Sequence, residues 1–278
     1  MSALSRETVP SYPDLFEILD LVPEGADTFS AITPPASRGR LFGGQVVSQA
    51  LRAACLTVPA DCAPYQLHAQ FLRAGQPHVP LTLRVSRPRD GRSFRNRHVV
   101  AEQDGKPVLT LAASFHVGES GTDWQPPHAL GPHPDTLPHW PSALDGLTTP
   151  HPFDLRPVNP PDDTGRPTLH PLWFRAVKPL PDKPLLHECA LAFATDFGMA
   201  LSTRWNRRDP DAVTTTSLDH TVWFHRPVQV NDWHLLSTDL VSRAVGRCLV
   251  HGTMHASDGA LVASIAQVAL IRPVPHPS

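Results

Sequence analysis

The spacing of apolar residues along the chain switches several times between the helical period and the strand period. GGQVVSQALRAACL (43–56) carries Val46, Val47, Ala50, Leu51 and Ala54 at helical spacing behind two glycines, and so predicts an amphipathic helix. LLHECALAFATDFGMAL (185–201) is apolar on nearly every side, which predicts a buried one. After each helix the period falls to two. Residues 66–117 and 217–273 each hold an aromatic strand with arginine, further β-rich runs, an Asp-Gly turn and a long apolar strand. Asp-Gly between apolar runs is a strong hairpin signal. Asp104-Gly105 and Asp258-Gly259 lie 154 positions apart, and Phe71 and Phe224 lie 153 apart. Two matching offsets predict an internal duplication. The expected fold is α+β: two antiparallel sheets, each wrapped around a central helix.

Proline divides the two halves. It occurs 32 times in 278 residues, most densely between Gly118 and Pro171. A residue that fixes φ and lacks an N–H excludes a long helix or a central strand there. The predicted organisation is therefore an N-terminal unit (1–117), an extended surface linker (118–150) and a C-terminal unit (151–278), with PFDLRPV (152–158) as an edge strand. A net charge of −2 argues against bulk nucleic-acid binding. No run is long and apolar enough for a membrane span, and MSALSRETVPSYPDL lacks the apolar core of a secretory signal. Cys55, Cys62, Cys189 and Cys248 have no zinc-type spacing. They are expected as reduced thiols in a cytoplasmic protein.

Candidate chemistry centres on the last strand. There Gln267 shares a face with Leu261, Ala263, Ile265, Ala269 and Ile271, while Val262, Ala266, Val268 and Leu270 fill the other. With both faces apolar, the amide is expected to be buried and in need of partners. Its counterpart at the 154 offset is Ala113, so a site built on this amide would occur once per chain. Asp196 is compatible with a helix cap or with a buried base. Ser217, Asp219 and His220 suggest a nucleophilic triad, but no G-x-S-x-G elbow accompanies them and adjacent strand residues point to opposite faces. That triad is rejected. No metal-ligand set, G-x-G-x-x-G or Walker motif is present, so no metal or other cofactor is expected.

RLFGGQVVSQAL (40–51), HAQFLRAG (68–75), RDGRSF (89–94), DGKPVLTLAASF (104–115), SLDHTVWFHRP (217–227) and DGALVASIAQVALIR (258–272) together resemble the acyl-CoA thioesterase II family. These are double-hotdog hydrolases of fatty acyl-CoA. The resemblance implies a tandem hotdog, an acyl-CoA substrate, no cofactor, and assembly into a homodimer or higher oligomer. It also implies a water nucleophile held by Asp196 in FATDFG, Ser217 in TTSLDH and Gln267 in VASIAQ. His68 falls on a histidine of the family's HxxFLR-like strand, with a structural or substrate-orienting role.

A thioester needs only a base, alignment and oxyanion support for attack by water. The expected oxyanion donors are backbone N–H groups at the helix mouth, from Gly43, Gly44 and Gln45. Arg84, Arg87, Arg89, Arg92, Arg95 and Arg97 surround a predicted hairpin. They form either a charged edge that resists aggregation or, through Arg87, Arg89 and Arg92, a site for coenzyme A phosphates. LSTRWNRRDPDAV (201–213), with the bulky Trp205, is the candidate determinant of acyl-chain length. Two alternatives stay open at this point: a non-catalytic acyl-CoA-binding protein, and a double-hotdog enoyl-CoA hydratase, which would need an Asp/His pair in one pocket.

Overall fold

The two predicted strand runs join edge to edge. The computed structural model describes residues 12–34, 39–139, 152–160, 169–199 and 213–273. Its first half holds α1 (Leu15–Leu19), β1 (Val22–Gly25), β2 (Thr28–Ala31), α2 (Gly43–Cys55), β3 (Cys62–Phe71), β4 (Leu81–Asp90), β5 (Phe94–Gln103) and β6 (Lys106–Val117). The second holds β7 (Phe153–Pro157), β8 (Leu172–Ala176), α3 (Leu186–Ala194), β9 (Val213–Ser217), β10 (Asp219–Phe224), β11 (His234–Ala244), β12 (Arg247–Ala256) and β13 (Leu261–Pro273). The strands form one 13-stranded sheet in the order β1-β2-β4-β5-β6-β3-β10-β13-β12-β11-β8-β7, with β9 also on β13. This corrects the expectation of two separate sheets. β3 and β10 pair antiparallel from Asp219↔Gln70 to Trp223↔Gln66, so each satisfies ladder groups that would otherwise form an open edge.

The duplication appears in the pairing itself. His68 stands opposite Ala112 in the first half, and Thr221 stands opposite Ala266 in the second, at the offsets found in the sequence. Both hairpins form where Asp-Gly predicted them. Asp104, Gly105 and Gly259 all have positive φ, which matches the right-handed twist of the flanking strands. The segment 152–158 supplies β7, the outermost strand at its end of the sheet.

The described residues of the expected linker are tied down on the second half. Gln125 donates to the Gly259 carbonyl (2.8 Å) and accepts from the Leu261 N–H (2.7 Å). Trp173 Nε1 donates to the Pro132 carbonyl at 3.1 Å. Leu130 and Leu137 pack with Val158 against a small core of Trp173, Trp233 and Leu235. The remainder of the expected linker, 140–150, lies outside the described residues.

α2 lies on the inner face of the first half and packs against α3. α3 ends at Ala194, earlier than the expected 201, because the chain enters a turn in which Gly198 takes φ +63°. Trp205 and its neighbours lie outside the described residues. The two helices meet through small and aromatic side chains. Phe42 and Phe193 are 5.0 Å apart between ring centres, and Cys55 Sγ and Cys189 Sγ approach to 3.7 Å. All four cysteines are unbridged and buried. Among the described residues, no helix is long and apolar enough to cross a membrane.

A close contact of the two helical segments passes through Gly44. A Cβ there would stand 2.3 Å from the Phe193 carbonyl oxygen, a backbone atom that cannot swing aside. Gly44→Ala should therefore lower stability by about 1–3 kcal/mol, or more if the helices cannot separate. At Gly118 a Cβ meets nothing within 4 Å, so Gly118→Ala serves as the control. Thermal melts of the two variants should separate by several degrees; equal melting temperatures would contradict the tight contact.

Candidate active site

The turn after α3 delivers Asp196 to the start of α2. The N-cap residue of α2, Phe42, offers no side-chain hydrogen bond to the helix. Asp196, 152 positions beyond Gly44, fills that role: its Oδ2 accepts from the Gly44 N–H at 2.9 Å. A cap and a buried carboxylate are thus the same residue, and the helix it caps belongs to the other half. Gly43 is required for a related reason, since a Cβ there would lie 2.7 Å from Asp196 Oδ2 and 3.0 Å from the Phe71 ring.

Burial governs the acidity of this group. Asp196 is 7% exposed. Desolvation raises its pKa, while hydrogen bonds from the Gln267 side chain and the Gly44 N–H act in the opposite direction. The helix N-terminus also favours the ionised form. Desolvation wins, and the pKa is pushed up to about 7.

Gln267 is fully buried, as its place on the apolar face of β13 predicted; the other face, at Ala266, Val268 and Leu270, is only half-buried. Its Nε2 donates to Ser217 Oγ at 2.7 Å. Its Oε1 lies 2.6 Å from His220 Nδ1, and His220 Nε2 lies 2.7 Å from Thr195 Oγ1. Thr195 adjoins Asp196, and the Gln267 side chain acts on the Asp196 carboxyl, so these four residues form one cluster. Ser217 sits at the end of β9 opposite Ala269. The chain then breaks step at Leu218, whose N–H donates to the Val268 carbonyl. Asp219 Oδ1 accepts the Val268 N–H at 3.0 Å, which gives Asp219 a structural duty at the break.

Asp196, Ser217 and Gln267 therefore come together, while several other expectations change. His68 pairs with Thr221 on the face opposite the buried Leu67 and Ala69, so it points away from Gln267 and cannot orient a substrate there. The Gly44 N–H is engaged by Asp196 and is no longer a free oxyanion donor. The N–H groups of Gly43 and Gln45 remain at the helix mouth. The Gln45 side chain turns into the core toward Tyr12 and Ile32. Arg87 makes an exposed two-point pair with Asp27 (2.6 and 2.9 Å). Arg89 lies 5.8 Å over the Phe94 ring, and Arg92 is exposed in the turn between β4 and β5.

His220 was set aside in the sequence together with the rejected triad, and its contact with Gln267 was missed. A signal was present: at the duplication offset His220 and Gln267 correspond to Leu67 and Ala113, two apolar residues.

The acyl-CoA thioesterase N-terminal domain family matches residues 32–116, and the acyl-CoA thioesterase C-terminal domain family matches residues 119–271. Human acyl-coenzyme A thioesterase 8 is 32% identical across 94% of this chain and 89% of its own length. Acyl-CoA thioesterase 2 of Haemophilus influenzae is 31% identical across 84% of this chain and 88% of its own. Among solved structures, an acyl-CoA thioesterase II from Mycobacterium marinum superimposes with a TM-score of 0.79 at 32% identity, covering 94% of this chain and 98% of that one. The fold is that of the hotdog thioesterases, and the chain belongs to the acyl-CoA thioesterase II family.

A carboxyl whose pKa is raised in the folded state costs stability between its unfolded and folded pKa values, where the unfolded chain is already ionised. The folded protein binds the Asp196 proton more tightly than the unfolded chain does. Stability is therefore highest below pH 4 in this respect and falls as pH rises to about 7. A shift of that size corresponds to something on the order of 4 kcal/mol. Asp196→Asn keeps an oxygen for Gly44 but carries no charge. Its melting temperature should exceed that of the unsubstituted protein at pH 8, with the gain vanishing near pH 4. A gain that is the same at both pH values would remove the ionisation argument.

Proposed function

We propose that the chain hydrolyses fatty acyl-CoA thioesters to free acid and coenzyme A, using water activated by Asp196, Ser217 and Gln267. The observation that carries this is the buried carboxyl of Asp196 beside the Gln267–Ser217 pair, at the mouth of α2. A base with a pKa of about 7 is half ionised near neutral pH, where general-base catalysis is most effective. Ser217 accepts its hydrogen bond from Gln267, so its own proton is available to hold a water oxygen. Asp196 accepts a proton from that water as the oxygen attacks the thioester carbon. The Gly43 and Gln45 N–H groups, at the positive end of α2, support the oxyanion. Collapse breaks the C–S bond, and the proton on Asp196 passes to the departing thiolate.

The hydratase alternative loses ground on His220. Both of its ring nitrogens are engaged, one with Gln267 and one with Thr195, which leaves neither to move a proton on a substrate. The alternative of a binder without turnover predicts thermal stabilisation by acyl-CoA and no thiol release. The same reading divides the chain into hotdog units at 1–117 and 151–278, each half-sheet curving around its own helix, joined by 118–150. It treats the protein as a cytoplasmic homo-oligomer with one site per chain. Oligomerisation is supported by Tyr65, Phe94 and Trp223, each at least 40% exposed on strands of the sheet. Unbridged cysteines fit the cytoplasm.

Thiol release measured over a series of acyl-CoA chain lengths, with chelator present throughout, tests the reaction. kcat/KM should rise with pH up to about 7 and then level off. Asp196→Asn, Ser217→Ala and Gln267→Ala should each lower kcat by roughly 100-fold or more. Absence of release with every chain length, or an Asp196→Asn variant with most of its activity, would overturn the assignment. Light scattering should separately give a mass that is a multiple of 30.4 kDa; a monomer at micromolar concentration contradicts the oligomer.

A further inference from the structure

A terminal amide has the same shape after half a turn, so packing alone does not tell Gln267 which end is which. Its neighbours do. Gln267 Nε2 donates to Ser217 Oγ at 2.7 Å, and the same side chain favours the ionised form of the neighbouring Asp196 carboxyl, which its N–H end can do and its oxygen cannot. The carbonyl end is thereby left 2.6 Å from His220 Nδ1. Turned the other way, it would set its oxygen toward the Asp196 carboxyl, two acceptors with no proton between them whenever Asp196 is ionised.

An oxygen 2.6 Å from Nδ1 calls for a proton on that nitrogen. The His220 ring is 0% exposed, and burial holds its pKa down to about 4, so near neutral pH it carries one proton. With that proton on Nδ1, Nε2 must accept. The Thr195 hydroxyl, 2.7 Å from Nε2, is the donor; it lies equally close to the Ala192 carbonyl, which is an alternative acceptor for the same proton. We infer that His220, as the Nδ1–H tautomer backed by Thr195, is a positioning residue that holds the Gln267 NH₂ toward Asp196 and Ser217.

The duplication supplies an independent argument. One step beyond the Thr221↔Ala266 pair, the register sets His220 beside Gln267 across β10 and β13. At the same place in the first half, Leu67 pairs with Ala113 across β3 and β6, and both are buried. The polar pair is present together or absent together. A histidine kept only to fill the core would have no reason to follow the glutamine. The inference rests on the assignment of Gln267 to the water site.

A double-mutant cycle on hydrolysis separates the two. Asn places an amide nitrogen where Nδ1 stands, so His220→Asn should keep kcat within about five-fold. His220→Leu and His220→Gln, which lack a donor at that place, should lose about 30-fold in kcat with KM changed less than about three-fold. In a Gln267→Ala background, His220→Leu should add no further loss. Proton–nitrogen NMR of the ¹⁵N-histidine-labelled, unsubstituted protein should show a neutral Nδ1–H ring whose signal is absent from His220→Asn. An Nε2–H ring, an Asn variant as weak as the Leu variant, or full additivity with a crippled Gln267→Ala would overturn the relay alone. Full activity in Gln267→Ala would overturn the water-site assignment and the relay with it.

Discussion

Everything in this site depends on how closely the turn after α3 approaches the first residues of α2. A single hydrogen bond, from the Gly44 N–H to Asp196 Oδ2, records that approach. It requires glycine at two consecutive positions, because a side chain at Gly43 would strike the carboxylate and one at Gly44 would strike the α3 backbone. It also buries Asp196, and that desolvation raises the carboxyl pKa to about 7. Capping, packing and the raised pKa of Asp196 are therefore consequences of one geometric constraint.

The sheet makes that constraint possible. Pairing of β3 with β10 fixes the two halves in register, so a helix from one half can be capped by a carboxylate from the other. The break at Leu218 then releases Ser217 from the β3 ladder while β13 continues beneath it, and Asp219 satisfies the N–H that the break would strand. Ser217 and Gln267 meet because one strand bends where its neighbour runs straight.

Much of this was legible in the sequence for identifiable reasons. The Asp-Gly turns and the matching offsets specify local chemistry, and the strands, hairpins and duplication follow from them. Gln267 stood out because an amide between two apolar faces must find partners. What escaped was long-range. The chain's alternation shows which face His220 occupies but not that the face belongs to the same core as Gln267; only the β10–β13 register does that. The merger of the sheets depends on two edges meeting, which neither edge's own pattern specifies. The Arg87–Asp27 pair escaped for the same reason, since Asp27 lies 60 positions away in a short turn. The length of the second helix was overestimated because an apolar run continues through Phe197 while the backbone turns at Gly198.

The unequal halves bear on how such a site can change over time. In an assembly of two identical hotdog subunits, every substitution occurs twice, and a change that suits one groove is imposed on the other. Fusion of the halves into one chain lifts that symmetry. Leu67 and Ala113 occupy in the first half the places that His220 and Gln267 hold in the second, and the first half packs them as plain core. One half is then free to improve as scaffold, at the cost of its own chemistry, while the other retains a polar interior that a purely structural domain would have no reason to tolerate.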